Sequence, residues 1–160
     1  MRGEKKIDES ITAELRRKLK KKYTPTIAKF FHPTTLNLIG FGGAFFAGLS
    51  FFLTSYSKYW FIGAMLGIVI HFLCDEFDGA VARYRKITSE HGFYLDHMLD
   101  ELGVLCIFIG LGASPLMRLS LALGIIITYY IISMNVFLTT CVRRWFQISF
   151  EGLGPREGEI

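Results

Sequence analysis

Four long stretches of this 160-residue chain carry no charged side chain, and they constrain its fold more than any other feature. The first stretch, residues 36–54, has nineteen residues, which as a helix is enough to cross about 30 Å of hydrocarbon. The others are residues 59–74, 102–117 and 119–142. Hydrophobic residues make up 51% of the chain even without counting its sixteen glycines, which exceeds the usage of soluble domains. The sequence therefore predicts an all-α integral membrane protein with four transmembrane helices.

Basic residues are unevenly distributed around these spans, and their distribution predicts the orientation. Ten of the 18 Lys and Arg residues precede the first span, three lie between the second and third, and three follow the fourth. The opposite side carries only Lys58 and Arg118. Because Lys and Arg concentrate on the cytoplasmic side, both termini and the loop between spans two and three are predicted to be cytoplasmic. The sequence thus indicates a multi-pass protein of the cell membrane.

The segment before the first span has the pattern of an amphipathic helix. Between residues 7 and 22, basic residues surround a stripe of apolar residues at every fourth position: Ile7, Ile11, Leu15 and Leu19. This helix is predicted to lie on the membrane surface, against anionic lipid headgroups, and to end at Pro25. A solvated charged helix is the alternative interpretation. A nucleic-acid partner is not expected.

These patterns divide the chain into three parts. Residues 1–30 are a cytoplasmic segment with the amphipathic helix, 31–150 a transmembrane domain, and 151–160 a cytoplasmic tail that Gly and Pro keep from being helical. Four glycines in the first span are interpreted as small residues that let helices approach closely, namely Gly40, Gly42, Gly43 and Gly48. A dinucleotide-binding loop is disfavoured because no strand precedes them.

Four aspartates flank the loop between spans two and three. Asp75 and Asp78 are three residues apart and Asp96 and Asp100 four apart, so each pair shares one helix face. Two antiparallel helices joined by a short loop can therefore direct all four carboxylates into one space. An ionisable group at membrane depth costs roughly 2.5–3.5 kcal/mol on insertion scales, so four anions together require cations.

Divalent metal ions are the predicted cations. The three basic residues of the neighbouring loop, Arg83, Arg85 and Lys86, lie off the two carboxylate faces. Oxygen ligands on rigid helices suit a hard ion such as Mg²⁺ or Mn²⁺. Four carboxylates are enough for two ions that share ligands, an arrangement used in phosphoryl transfer.

The residues that follow Asp78 favour a phosphate ligand. Gly79 removes a side chain where a ligand can approach the helix backbone, and Ala82 is also small. Arg83 is placed to bind a phosphate through two parallel N–H groups. Tight helix packing is the alternative explanation for Gly79.

Written in full, the stretch is Asp75-x2-Asp78-Gly79-x2-Ala82-Arg83-x8-Gly92-x3-Asp96-x3-Asp100. It resembles, at all eight specified positions, the signature of the class I CDP-alcohol phosphotransferases (CDP-alcohol phosphatidyltransferases), integral membrane enzymes that make phospholipids. The resemblance extends from the surface helix through span four. It implies transfer of a phospho-alcohol group, such as phosphatidyl, from a CDP-alcohol donor to an acceptor alcohol, with release of CMP.

The resemblance also implies roles for individual residues. Asp75, Asp78 and Asp96 are implied to be the main ligands of the Mg²⁺ or Mn²⁺ ions. Asp100 is implied to be both a ligand of the second ion and the base that deprotonates the acceptor hydroxyl. The implied contacts to the CDP moiety are Gly79, Arg83 and Ser89.

The entry to span one, Pro33-Thr34-Thr35-Leu36-Asn37, is similar to a Pro-Asn-x-x-Thr segment near the nucleotide in the family. Pro33, Thr34, Thr35 and Leu36 are therefore added to the implied CDP-alcohol site. Thr34 and Asn37 depart from the commoner residues.

The family usually has six spans and is usually dimeric. The resemblance therefore implies that two helices are missing after residue 160 and that the chain forms a homodimer. Four glycines in spans three and four permit close contact between helices: Gly103, Gly110, Gly112 and Gly124.

Two other functions remain open from the sequence. A membrane prenyltransferase also binds Mg²⁺-diphosphate through Asp-rich helices, although its two motifs normally lie far apart. A divalent-cation transport subunit could use the aspartates as a permeation site, but it leaves Gly79 and Arg83 unexplained. The sequence does not predict which donor and acceptor alcohols are joined.

Overall fold

The computed structural model describes the backbone of residues 13–143 and the side chains of residues 18–140. Within this range the chain forms five helices and no strand: α1 Ala13–Phe30, α2 Pro33–Leu53, α3 Trp60–Arg85, α4 Glu90–Gly112 and α5 Leu119–Arg143. The prediction of an all-α protein is confirmed. Residues 7–12 of the amphipathic segment, the continuation of the last span beyond residue 143 and the tail 151–160 lie outside the described residues.

Three of the described helices are long and apolar enough to cross a membrane by length and composition: α2, α3 and residues 119–140 of α5. The α4 helix is of similar length, but Asp96, Asp100 and Glu101 interrupt its apolar sequence. Its crossing of the bilayer stays a prediction. Large apolar side chains are exposed along α2–α5, which is the surface that a lipid environment requires.

The α2 helix contacts both α3 and α4, because glycines let the helix backbones approach each other directly. A Cβ atom on Gly43 would lie 2.9 Å from the carbonyl oxygen of Gly67 in α3. On another face of α2, a Cβ atom on Gly110 of α4 would overlap the carbonyl group of Gly48. Close helix approach is thus confirmed for Gly43 and Gly48, and a Cβ atom on Gly40 would lie 3.0 Å from Cys74 Cβ of α3. Gly42 has no described atom within 4 Å of its Cβ position.

The glycines that favoured a homodimer are mostly used within the chain. Gly103 and Gly110 pack against α2, and Gly112 packs against Ala122 of α5. Of these four glycines, Gly124 has no described atom within 4 Å of its Cβ position. The homodimer stays a prediction, and its remaining support among these glycines lies on the Gly124 face of α5.

The α1 helix continues through Pro25 to Phe30, so the prediction that this proline ends the helix is wrong. Proline lacks the N–H that would bond the Lys21 carbonyl, and a proline inside a helix costs about 3 kcal/mol or more. Local propensity therefore favours a break at this position. The helix persists because α3 holds it on both sides of the proline.

Two polar contacts and an apolar cluster bind α1 to α3. Before Pro25, Lys20 Nζ lies 2.6 Å from Glu76 Oε2. After it, the Arg85 guanidinium donates from Nε at 2.8 Å and from Nη2 to the Ala28 carbonyl. Ala28 itself is buried in a cluster with α2 and α3. These contacts offset the local cost of the proline.

A four-residue connection, 86–89, reverses the chain between α3 and α4. Lys86 ends α3 in the left-handed conformation, with φ 58°, and its N–H bonds the last turn of the helix. Ser89 begins α4, since its Oγ accepts a hydrogen bond of 3.0 Å from the Gly92 N–H. The reversal brings the acidic end of α3 beside the acidic end of α4.

Candidate active site

The aspartates of the motif come together where α3 and α4 adjoin. Carboxylate oxygens of Asp75, Asp78 and Asp96 all lie within 4.8 Å of one another. Asp75 and Asp78 share one face of α3 because they are three residues apart, and Asp96 reaches them from α4. Asp78 is the most enclosed of the three, with 4% of its surface exposed, whereas Asp75 is exposed.

Asp100 joins the cluster from one turn further along α4. Its carboxyl group faces Asp75 closely enough for a hydrogen bond, and Asp96 faces Asp78 in the same way. The four aspartates therefore form two pairs, each with one member on α3 and one on α4. Like charges this close repel each other, so the arrangement requires bound cations or protons.

The donor set of this cluster fits a hard divalent cation. Three oxygens within 4.8 Å of one another can converge on one ion at metal–oxygen distances of about 2.1–2.6 Å. The grouped ligand atoms are all carboxylate oxygens, which suit Mg²⁺ and Mn²⁺ better than the softer transition metals. The residues present therefore fit the ions that the sequence predicts.

Two histidines border the aspartates and are engaged with backbone carbonyls. The Nδ1 atom of His71 lies 3.2 Å from the Gly40 carbonyl oxygen, which ties α3 to α2. The Nδ1 atom of His97 lies 3.0 Å from the Phe93 carbonyl oxygen and 3.5 Å from Asp96. Neither histidine belongs to the described group of converging ligand atoms.

Gly79 and Arg83 lie one turn apart on α3, next to Asp78. A Cβ atom on Gly79 would lie 3.3 Å from Arg83 Nη1, and the nearest atoms it would meet all belong to Arg83. This glycine therefore keeps space beside the guanidinium, which argues against helix packing as its role. Arg83 and Ser89 are both exposed, and the Ser89 hydroxyl that caps α4 can still donate its proton to a ligand.

The entry to α2 lies close to the metal ligands. Pro33 is in the first turn, and His32 caps the helix by accepting a hydrogen bond of 3.3 Å from the Thr34 N–H. Thr34 and Thr35 are exposed and can meet a ligand. Leu36 is 6% exposed, and its side chain packs in the cluster between α1, α2 and α3. The role of these residues in nucleotide binding stays a prediction.

Asn37 is a site residue that the sequence interpretation missed. In the amide orientation that pairs donors with acceptors, Nδ2 donates to Asp78 Oδ2 at 2.6 Å and to the Pro33 carbonyl at 2.9 Å. The sequence shows Asn37 only as a departure from the commoner family residue. The sequence feature that could have identified Asn37 is a polar side chain one turn after Pro33 in an otherwise apolar span.

Glu101 is a second residue that the sequence interpretation missed. It directly follows Asp100, and its Oε1 accepts a hydrogen bond from Ser133 Oγ of α5. Tyr130 OH donates to the Glu101 carbonyl at 2.9 Å, while Glu101 Oε2 is buried without a described partner. These bonds fix the position of α4 against α5. The sequence feature that could have identified Glu101 is an acidic residue next to Asp100 within a predicted span.

The comparison with known families decides the membership of this chain. The model of the CDP-alcohol phosphatidyltransferase family matches residues 33–155, which include α2–α5 and all four aspartates of the cluster. The chain belongs to the CDP-alcohol phosphatidyltransferase family. No curated protein and no solved structure gave a significant match.

Membership in the CDP-alcohol phosphatidyltransferase family confirms the resemblance that the motif carried. It assigns the chain to membrane-embedded transferases of phosphate-containing groups that act in phospholipid synthesis. Such enzymes typically use divalent metals, and the aspartate cluster supplies a group that can bind them. The match begins at Pro33, so α1 lies outside it.

Proposed function

We propose that this chain transfers the substituted phosphate of a CDP-alcohol to the hydroxyl of a second alcohol and releases CMP. The observation that carries the proposal is the convergence of aspartates from α3 and α4 beside Gly79 and Arg83. This arrangement places an oxygen ligand set next to a guanidinium that can bind phosphate. Family membership supports the same class of reaction.

In this proposal, Asp75, Asp78 and Asp96 hold Mg²⁺ or Mn²⁺, and Asp100 contributes to a second ion. Ions bound there would neutralise the negative charge of the pyrophosphate and the charge that develops on the departing CMP.

Side chains of the protein bind the donor and accept the proton of the acceptor hydroxyl. Arg83 binds a phosphate of the donor, and Gly79 leaves space for it. Asp100 accepts the proton of the acceptor hydroxyl while the acceptor oxygen forms a bond to the donor phosphorus that carries the alcohol. The bond from that phosphorus to the bridging oxygen of CMP breaks, and CMP leaves with the electron pair. Asp100 releases its proton to water after the transfer.

The position of the cluster suits a donor or acceptor that is partly lipid. Asp78 lies seven residues before the end of α3, which corresponds to about 10 Å along the helix. We place this end of the helices at the cytoplasmic face, because Arg83, Arg85 and Lys86 are there and few basic residues are at the other end. A cation-permeation site is expected nearer the middle of the spans, so this position favours the transferase.

The direct experiment uses the purified full chain in lipid nanodiscs. CMP release is measured with CDP-diacylglycerol and inositol phosphate, glycerol phosphate or serine. An archaeal ether-lipid donor is tested in parallel, as are CDP-choline and CDP-ethanolamine with diacylglycerol. We expect one pair to yield CMP and the joined lipid in equal amounts.

Two variants and one further substrate give this experiment its controls. We expect Asp78→Asn to abolish CMP release, while Glu90→Gln, at an exposed acidic position outside the cluster, retains it. A folded full-length protein that releases no CMP from any pair would contradict the proposal. Diphosphate release from a prenyl diphosphate would support the prenyltransferase hypothesis instead.

We also propose that the chain forms a homodimer. The support is the exposed apolar surface of α5 around Gly124, where helices from two copies can approach closely. Cross-linking of the chain in lipid is expected to give a dimer. A Gly124→Leu variant, which adds bulk at this face, is expected to reduce the dimer, and a chain that cross-links only as monomer would contradict the proposal.

A further inference from the structure

The environment of Asp78 differs from that of the other aspartates in the cluster. It is 4% exposed, so water cannot solvate its carboxylate freely. Its Oδ1 atom accepts a hydrogen bond from the Gly79 N–H, and its Oδ2 atom accepts one of 2.6 Å from Asn37 Nδ2. Each oxygen thus accepts a hydrogen bond from one N–H group. Since a carboxylate oxygen has two lone pairs, each oxygen keeps one for another partner.

Asn37 reaches Asp78 from a different helix and is itself held in place. It lies in the second turn of α2, and its second N–H donates to the Pro33 carbonyl at 2.9 Å. The amide therefore has two fixed acceptors and cannot rotate without losing both bonds. Hydrogen bonds to a charged group are among the stronger ones in proteins, so this bond favours one orientation of the carboxylate.

We propose that Asn37 is a positioning residue that orients Asp78 toward the metal ion and thereby sets the affinity of the aspartate cluster for Mg²⁺ or Mn²⁺. The inference rests on the metal-dependent transfer proposed above. Hydrogen-bond donors behind a ligating carboxylate hold it in the binding orientation, and their loss typically lowers metal affinity about 10–100-fold. Asn37 needs no contact with substrate for this role.

The test measures metal binding directly, without a substrate. Mn²⁺ affinity of the full chain in nanodiscs is determined by electron paramagnetic resonance for the wild type and for Asn37→Leu, which has a similar shape but no donor. We expect a loss of at least about tenfold in Asn37→Leu. Asn135→Leu, at the exposed asparagine of α5, is the matched control and is expected to bind Mn²⁺ as the wild type does.

A double variant separates positioning from a general structural effect. If Asn37 acts through Asp78, Asn37→Leu causes no further loss of Mn²⁺ affinity in an Asp78→Asn background. Asn37→Thr supplies one O–H donor in place of two N–H donors. The Mn²⁺ affinity of this variant is therefore expected to lie between those of the wild type and Asn37→Leu. Circular dichroism and the melting temperature without metal establish that each variant is folded.

The outcomes distinguish this inference from the proposed function. Wild-type Mn²⁺ affinity in folded Asn37→Leu, or additive losses in the double variant, would overturn the role of Asn37. If Asn37→Leu does not fold, Asn37→Ala carries the same expectation without added apolar bulk. A tenfold loss of Mn²⁺ affinity in a chain that releases no CMP with any substrate pair would leave the inference standing and remove the transferase proposal.

Discussion

Asp100 of α4 faces Asp75 of α3 closely enough for a hydrogen bond, yet it does not belong to the three aspartates whose oxygens lie within 4.8 Å of one another. The cluster is therefore divided. Asp75, Asp78 and Asp96 form a compact ligand set, and Asp100 lies at its edge. An edge position leaves Asp100 able to meet an acceptor hydroxyl while it remains beside the metal ligands.

This division predicts different defects for Asp100→Asn and Asp75→Asn. Asp100→Asn is expected to lower CMP release about 10²–10⁴-fold, the contribution of a general base, while CDP-alcohol binding changes little. Asp75→Asn is expected to lose CDP-alcohol affinity as well. Removal of this carboxylate lowers the affinity of the cluster for the metal ions that would bind the donor. Equilibrium binding of CDP-diacylglycerol to both variants checks this, with Glu90→Gln as control. Equal losses of affinity would remove the division of roles.

Gly79→Ala is expected to weaken donor binding by about tenfold. The new methyl group would lie 3.3 Å from Arg83 Nη1, so the guanidinium would have to shift by a few tenths of an ångström, and the methyl would occupy the space that we propose the donor phosphate uses. A hydrogen bond to a charged group contributes about 1.5–3 kcal/mol, so even its partial loss is measurable. Gly42→Ala is the matched control, since no described atom lies within 4 Å of that Cβ position. Titration with a CDP-alcohol measures both. Wild-type affinity in Gly79→Ala would show that the space beside Arg83 is not used by the donor.

The aspartate cluster was predictable from the sequence because it depends on local geometry. Spacings of three and four residues put each pair of aspartates on one helix face, and the short loop between the helices makes them antiparallel. The family signature then supplied the roles. Both arguments concern residues close together in the chain.

The features that were missed depend on contacts between distant residues. Pro25 predicts a helix end locally, but Arg85, which bonds Ala28 from 57 residues away, keeps α1 intact beyond it. Asn37 and Asp78 meet only because glycines bring α2 and α3 close together, and no local pattern records that pairing. The bond between Glu101 and Ser133 likewise requires the packing of α4 on α5.

Arg85→Lys is expected to loosen α1 from α3. Arg85 donates two N–H groups to the Ala28 carbonyl, and lysine cannot reproduce that fork, so about 1 kcal/mol of docking free energy is lost. Hydrogen–deuterium exchange of residues 18–30 is expected to become faster while exchange in α2–α5 is unchanged. Arg118→Lys, at the other end of the helices, is the control. Unchanged exchange in α1 would show that this bond does not hold the helix.

Ser133→Ala is expected to destabilise the fold by about 1–3 kcal/mol. The substitution leaves both carboxylate oxygens of Glu101 without a described partner. A buried polar group that has lost both water and its hydrogen bond destabilises the folded state. Ser120→Ala, at an exposed position of the same helix, is expected to have no such effect. Melting temperatures in detergent compare the two. Equal melting temperatures would show that the bond between α4 and α5 contributes nothing to stability.

The central claim is tested most directly by measuring whether CMP release depends on a divalent metal ion. The wild-type chain in nanodiscs is given its best donor and acceptor, treated exhaustively with a chelator, and then titrated with Mg²⁺ or Mn²⁺. Because we propose that the converging aspartates hold divalent ions that neutralise the pyrophosphate, we expect CMP release to fall to the level of Asp78→Asn after chelation and to return when either ion is added. Undiminished CMP release after exhaustive chelation would contradict the account.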